Sequence, residues 1–153
     1  MSKVKVVVEV DSCDKDETAA VDPNIISDIF YMTFAASDNV KTAEGVKKTW
    51  YLNPGNISEE SWVTWNPMPW AAKLTEIKIT MSPDFAVGQA TWAVMKDSGL
   101  VSSSELVIPA GQSKGGQFLD IDFSIDQYIG LSLTLDGVTT DTWPAAVLVF
   151  QRL

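Results

Sequence analysis

Hydrophobic positions along most of the chain recur every second residue. Between 118 and 125, Leu119, Ile121, Phe123 and Ile125 alternate with Asp120, Asp122 and Ser124, as in a strand with one packed and one wet face. The rhythm resumes after Asp126-Gln127 at Ile129, Leu131, Leu133 and Leu135, and stops at the turn pair Asp136-Gly137. Upstream, Ile77, Ile79 and Met81 stand against Glu76, Lys78 and Thr80, and the run ends in Ser82-Pro83-Asp84. A strand over 89–95 leads into Lys96-Asp97-Ser98-Gly99, and a short one over 105–108 is closed by Pro109-Ala110-Gly111 and a Gly-rich loop through 116. The continuously apolar run 145–150 predicts a central strand or one covered on both faces, with Trp143-Pro144 setting its start. With 4–10 and 48–52 added, the pattern gives about eight short strands and an all-β sandwich or barrel. One segment reads two ways. Asp22-Pro23 followed by Ile25, Ile26 and Ile29 fits a short helix, whereas 29–34 fits a strand equally well.

Composition narrows the function classes. The chain of 153 residues has 11 basic and 20 acidic side chains, a formal charge of −9. Such a surface repels phosphate, so neither nucleic acid nor an anionic membrane is an expected partner. Having no His removes the commonest general base and transition-metal ligand, along with every Ser-His or Cys-His nucleophile. The lone Cys13 can make neither an internal disulfide nor a thiolate metal site. No stretch approaches the 18 or so apolar residues of a transmembrane helix, so no membrane insertion is expected. Glu9 and Asp11 interrupt the apolar start where a signal peptide would continue, so synthesis in the cytoplasm is expected. With no internal repeat or long linker, 1–153 is expected to form a single domain. The charged fraction of 20% lies below the roughly 25% of ordinary soluble domains. Together with six Trp, this points to a subunit interface or an aromatic binding patch.

Candidate chemistry is sparse. Asp11, Asp14, Asp16 and Glu17 crowd one loop, but the alternation and Gly of a calcium loop are missing, so a solvated loop is expected, with no metal and no cofactor. Asp120, Asp122 and Asp126, with Asp136 and Asp141 later, supply carboxylates of the kind glycoside hydrolysis needs. Alternation places the first two on a wet strand face, and the expectation is no enzyme. Ser12-Cys13 and Ser102-Ser103-Ser104 have no base beside them, and the acceptor pattern Asn56-Ile57-Ser58 is read as accidental. The most unusual feature is the cluster Trp62, Trp65 and Trp70, interleaved with Pro67 and Pro69. The prolines forbid regular pairing and favour an extended loop. Its indoles are a core plug, an oligomer interface or, with Tyr51, a ligand platform, and the sequence leaves all three open.

The order of elements in the C-terminal half suggests a family. Ala90-Thr91-Trp92-Ala93-Val94, then Leu106-Val107-Ile108-Pro109-Ala110-Gly111, the alternating strand through Phe123, Asp126-Gln127-Tyr128-Ile129-Gly130-Leu131 and Ala146-Val147-Leu148-Val149-Phe150 resemble the small β-sandwich or jelly-roll modules of bacteriophage virion proteins. Fibre tips, knobs and capsid decoration proteins are among them. The resemblance covers about residues 85 to 150 and implies an antiparallel β-sandwich of jelly-roll type with at most one short helix. It further implies a non-enzymatic virion structural or attachment protein, a homo-oligomer with a trimer favoured, whose partners are capsid or tail proteins or a host-surface glycan. The alternative from a different class is a carbohydrate-binding module with Trp62, Trp65, Trp70 and Tyr51 as its binding residues. A carboxylate hydrolase ranks third.

Overall fold

A computed structural model describes residues 28–36, 38–52, 66–97 and 99–153 with their side chains, and the backbone of 4–7, 18–21, 53 and 56–58. In chain order the strands are β1 (Val4–Val7), β2 (Thr18–Val21), β3 (Ile29–Ala35), β4 (Lys47–Asn53), β5 (Asn56–Ser58), β6 (Ala72–Ser82), β7 (Gln89–Lys96), β8 (Gly99–Pro109), β9 (Lys114–Phe123), β10 (Ile129–Asp136) and β11 (Trp143–Arg152). The ambiguous segment resolves to strand at β3, and no helix occurs among the described residues. Residues 22–27, on which the helical alternative rested, and the acidic loop 11–17 lie outside them. Among the described residues no helix is long and apolar enough to cross a membrane.

All pairings among the described strands are antiparallel. One sheet runs β5-β4-β10-β7-β8, the other β3-β11-β6-β9, and β1-β2 form a separate pair. Without β5, and counting from β3, the strands occupy the sheets in the order second-seventh-fourth-fifth and first-eighth-third-sixth. That is the interleaving of a jelly roll, so the fold expectation holds. The last strand, β11, lies between β3 and β6, which accounts for its unbroken apolar sequence: residues facing the core are buried and the others half-covered by neighbours on both sides.

Parity assigns the faces. From the five-stranded sheet Trp50, Leu52, Trp92, Leu131, Leu133 and Leu135 point inward; from the four-stranded sheet Leu74, Ile77, Ile79, Leu148 and Phe150 meet them, all buried. Two tryptophans thus fill the core. The strands overrun the predicted ends where packing continues. The Gly-rich stretch expected as a loop enters β9 at Lys114, because Gly115 opposes Ile79 and a Cβ there would strike Ile108 Cδ1. In the opposite sense, β9 ends at Phe123, and Ile125, expected inside, is exposed. Buried Ser104 is a structural hydroxyl: it accepts the Val94 N–H at 2.7 Å where the β7–β8 register shifts.

Candidate functional site: the outer face of the four-stranded sheet

Of the sequence-predicted residues, the two that are described, Tyr51 and Trp70, lie against different sheets. Tyr51 pairs with Ser132, half-buried and alternating with the inward Trp50 and Leu52, so it belongs to the outer side of the five-stranded sheet. Trp70, 38% exposed, packs instead at the rim of the other sheet, edge-on to Phe30 at 5.4 Å, with the Arg152 guanidinium over its ring at 4.7 Å. Trp62 and Trp65 lie outside the described residues. Phe30 continues inward, stacked on Phe150 at 5.0 Å, and Phe150 meets Phe123 edge-on at 6.0 Å. Trp70 is thus the outer rung of an aromatic ladder rooted in the core. The outer side of the five-stranded sheet carries a polar depression of about 330 Å³ lined by Lys47, Gln89, Thr91, Glu105, Val107 and Thr134.

The larger departure from expectation is on the opposite side of the molecule. The register aligns Tyr31 with Val149, Val149 with Glu76 and Glu76 with Phe118, a straight row across all four strands on the solvent side. The next row is Thr33, Val147, Lys78 and Gly116. Phe118 is 85% exposed and Tyr31 65%, and Ile29 and Trp143 are each about half exposed. These side chains are too large and too apolar for ordinary wet positions of a strand, and they share one face, with Tyr31 and Phe118 on its opposite edge strands; exposed apolar side chains gathered on one face mark candidate interaction surfaces. Sequence reasoning missed them, although the signal was present: Tyr31, Phe118 and Trp143 each fall out of phase with the inward series on their own strand, so alternation itself puts them outside.

The face is divided. Over β3 and β11 it is apolar, with Ile29, Tyr31, Ala145, Val147 and Val149. Over β6 and β9 it is ionic apart from Phe118. Lys73 Nζ donates to Asp120 at 2.6 Å and lies 3.6 Å from Asp122, and Lys78 sits 3.7 Å from Glu76. The wet-face placement expected of Asp120 and Asp122 is observed, and both serve to hold a lysine. Lys73 is held above its ordinary value, first by its hydrogen bond to Asp120 and then by the charges of Asp120 and Asp122. A raised lysine value means that its contribution is full below the unfolded-chain value and fades only as pH climbs through the folded one, so the clasp is intact across the neutral range. Being solvent-screened, it is weak. Lys73→Met is expected to lower the melting temperature slightly in low salt and not at all in molar salt, as thermal melts at both ionic strengths would show.

No group of three or more His, Cys, Asp or Glu side chains placed to hold a metal occurs among the described residues. No protein-family model matches the chain, and no curated protein matches it significantly. Among solved structures it is similar to the coat protein of Tobacco streak virus, with TM-score 0.42 and 8% identity over 86% of this chain and 91% of that one. It is also similar to the GH26-CBM35 β-(1,4)-mannanase of Podospora anserina, with TM-score 0.40 and 16% identity over 80% of this chain and 28% of the enzyme. A third likeness is to the T13 viral particle of IBDV, with TM-score 0.30 and 10% identity over 95% of this chain and 40% of that one.

Proposed function

We propose that this protein is a non-enzymatic structural or attachment component of a virion, a capsid decoration or fibre-tip module that works by association through its surface. The observation that supports this best is the divided outer face of the four-stranded sheet: an apolar half over β3 and β11 with Tyr31 largely exposed, and a screened ionic half over β6 and β9 with exposed Phe118 on its far strand. Such a layout matches an interface with an apolar centre and a polar rim. The jelly-roll strand order agrees with it, since capsid and lectin domains use that architecture, although fold alone does not assign a function. The acidic surface, net −9, suits a role on the outside of a particle better than contact with packaged nucleic acid.

Saturable co-sedimentation with empty capsids assembled without this protein is the expected result at micromolar concentration, weakened at least tenfold by Phe118→Ser. Failure to pellet with capsids, together with a melting temperature raised by an oligosaccharide, would overturn the virion reading in favour of a carbohydrate-binding module. The depression lined by Lys47, Gln89, Glu105 and two threonines is the place such a module would use, because its donors and acceptors suit hydroxyl groups.

A further inference from the structure

We infer that the depression on the outer side of the five-stranded sheet binds a neutral sugar ring, on the opposite side of the molecule from the face assigned to assembly, so that both can be occupied at once. This deepens the proposed function, resting on its reading of the protein as one that attaches through its surface, and it names the class of molecule that the second face takes.

Register sets the floor. Thr49 pairs with Thr134 and Thr134 with Thr91, which puts three threonines in one row across β4, β10 and β7, and Val107 continues the row on β8. Their sequence neighbours Trp50, Leu133 and Trp92 are buried in the core, so alternation turns the row outward. Thr49 and Thr134 join their hydroxyls at 2.8 Å. One of the two spends its proton on the other, so the pair keeps a second proton and free lone pairs for a ligand, and such a polarised pair bonds more strongly. The Thr91 hydroxyl and the Gln89 carboxamide line the depression and make no hydrogen bond to any described residue. Thr91 is half-buried, and a partly covered polar group with its capacity unused calls for a bound partner. Val107, 48% exposed, adds an apolar surface. A sugar ring matches both features, with hydroxyls around its rim and C–H groups on its faces.

The charges decide against an ionic ligand. Lys47 stands on β4 and Glu105 on β8, with β10 and β7 between them. Three strand spacings, about 14 Å, separate the two strands, so the opposite charges flank the floor and balance across it. Asp136 lies between Lys47 and Gln89 in the adjoining row, and in a chain of net charge −9 an anion is repelled. At about 330 Å³ the depression is at the small end of ligand sites, the scale of a ring or two and not of a long chain. Its floor belongs to β4, β10 and β7, whereas the row from Tyr31 to Phe118 belongs to β3, β11, β6 and β9. The core lies between the two sheets, which pack about 10 Å apart, so a ligand on one outer face leaves the other open.

Nuclear magnetic resonance of the nitrogen-labelled protein tests the site. Titration to millimolar concentration with neutral oligosaccharides of glucose, mannose, galactose and N-acetylglucosamine is expected to give saturable shifts with at least one of them. The shifts should fall at the Gln89 carboxamide and the Thr91 and Thr134 amides, and not at Tyr31 or Phe118. Thr91→Val, which keeps the shape and removes the hydroxyl, should weaken that binding about fivefold with the melting temperature unchanged. Gln89→Ala, at an exposed position, should do the same and covers the case in which the valine variant fails to fold. Saturating sugar should leave co-sedimentation of the wild type with capsids unchanged. Shifts confined to other residues, binding undiminished in both variants, tighter binding of uronate or glucosamine oligomers, or no saturable shift with any of the neutral sugars would each overturn the proposal. Co-sedimentation that fails while the shifts persist overturns the virion reading and leaves the sugar site standing; the reverse result overturns the sugar site alone.

Discussion

Phe150→Ala is expected to remove about 3–5 kcal/mol of stability, the usual loss for a fully buried aromatic cut back to a methyl. Phe150 is completely buried, stacked on Phe30 and edge-on to Phe123, and it lies on the strand between β3 and β6. Because Phe30 in turn carries Trp70, the loss should reach the surface: near-ultraviolet dichroism of the folded variant should change along with its stability. Phe150→Leu should recover most of the burial but not the ring geometry, worth about 0.5–1.5 kcal/mol per aromatic pair. Urea unfolding of both variants measures this, and a loss below about 1 kcal/mol in the alanine variant would mean that the ladder is not a core element.

Gly88→Ala should be nearly as damaging, although only one methyl group is added. Gly88 has φ +87°, a backbone region that strains any L side chain. A Cβ would also stand 2.6 Å from the carbonyl carbon and oxygen of Gly137, and closer still to the Asp136 carbonyl oxygen. These are backbone atoms at the end of the β7–β10 ladder, where Gln89 pairs with Asp136, so neither side can yield without breaking the pairing. The expected loss is about 3 kcal/mol, or roughly 6–12 °C in melting temperature for a domain of this size. Gly111→Ala is the comparison: its φ is also positive, at +84°, but nothing lies within 4 Å of its Cβ, so strain acts without collision and the loss should be smaller. Equal losses at the two positions would assign the whole effect to dihedral strain.

The strands with strict alternation were legible from the sequence, because burial of one face enforces a period of two. β10, with Leu131, Leu133 and Leu135 inside, is the clearest case. The continuous run at 145–150 likewise announced the central position of β11. Strand order was not legible, since pairing between distant segments leaves no local trace; the jelly-roll expectation came from resemblance and was met by the topology. The site was read less well. The tryptophan-rich loop stands out in the sequence because prolines and indoles cluster there, yet Trp70 packs on Phe30 of the four-stranded sheet while Tyr51 lies in the five-stranded one. Tyr31, Phe118 and Trp143 do not stand out, being scattered along the chain; only the register of β3, β11, β6 and β9 puts Tyr31 and Phe118 in one row and all three on one face.

The position of β11 also governs how the chain must fold. It follows the other described strands in sequence, yet among them β3 and β6 have no hydrogen-bonded contact with each other and are joined only through it. Contacts beside it span most of the chain, as where Thr142 Oγ1 donates to the Val40 carbonyl, 102 residues away. During synthesis the four-stranded layer therefore has no centre until its final strand leaves the ribosome, and the apolar flanks of β3 and β6 wait uncovered. Such long-range closure belongs to the slow end of two-state folding, on the order of milliseconds to seconds, and makes the nascent chain dependent on whatever shields those flanks in the interval.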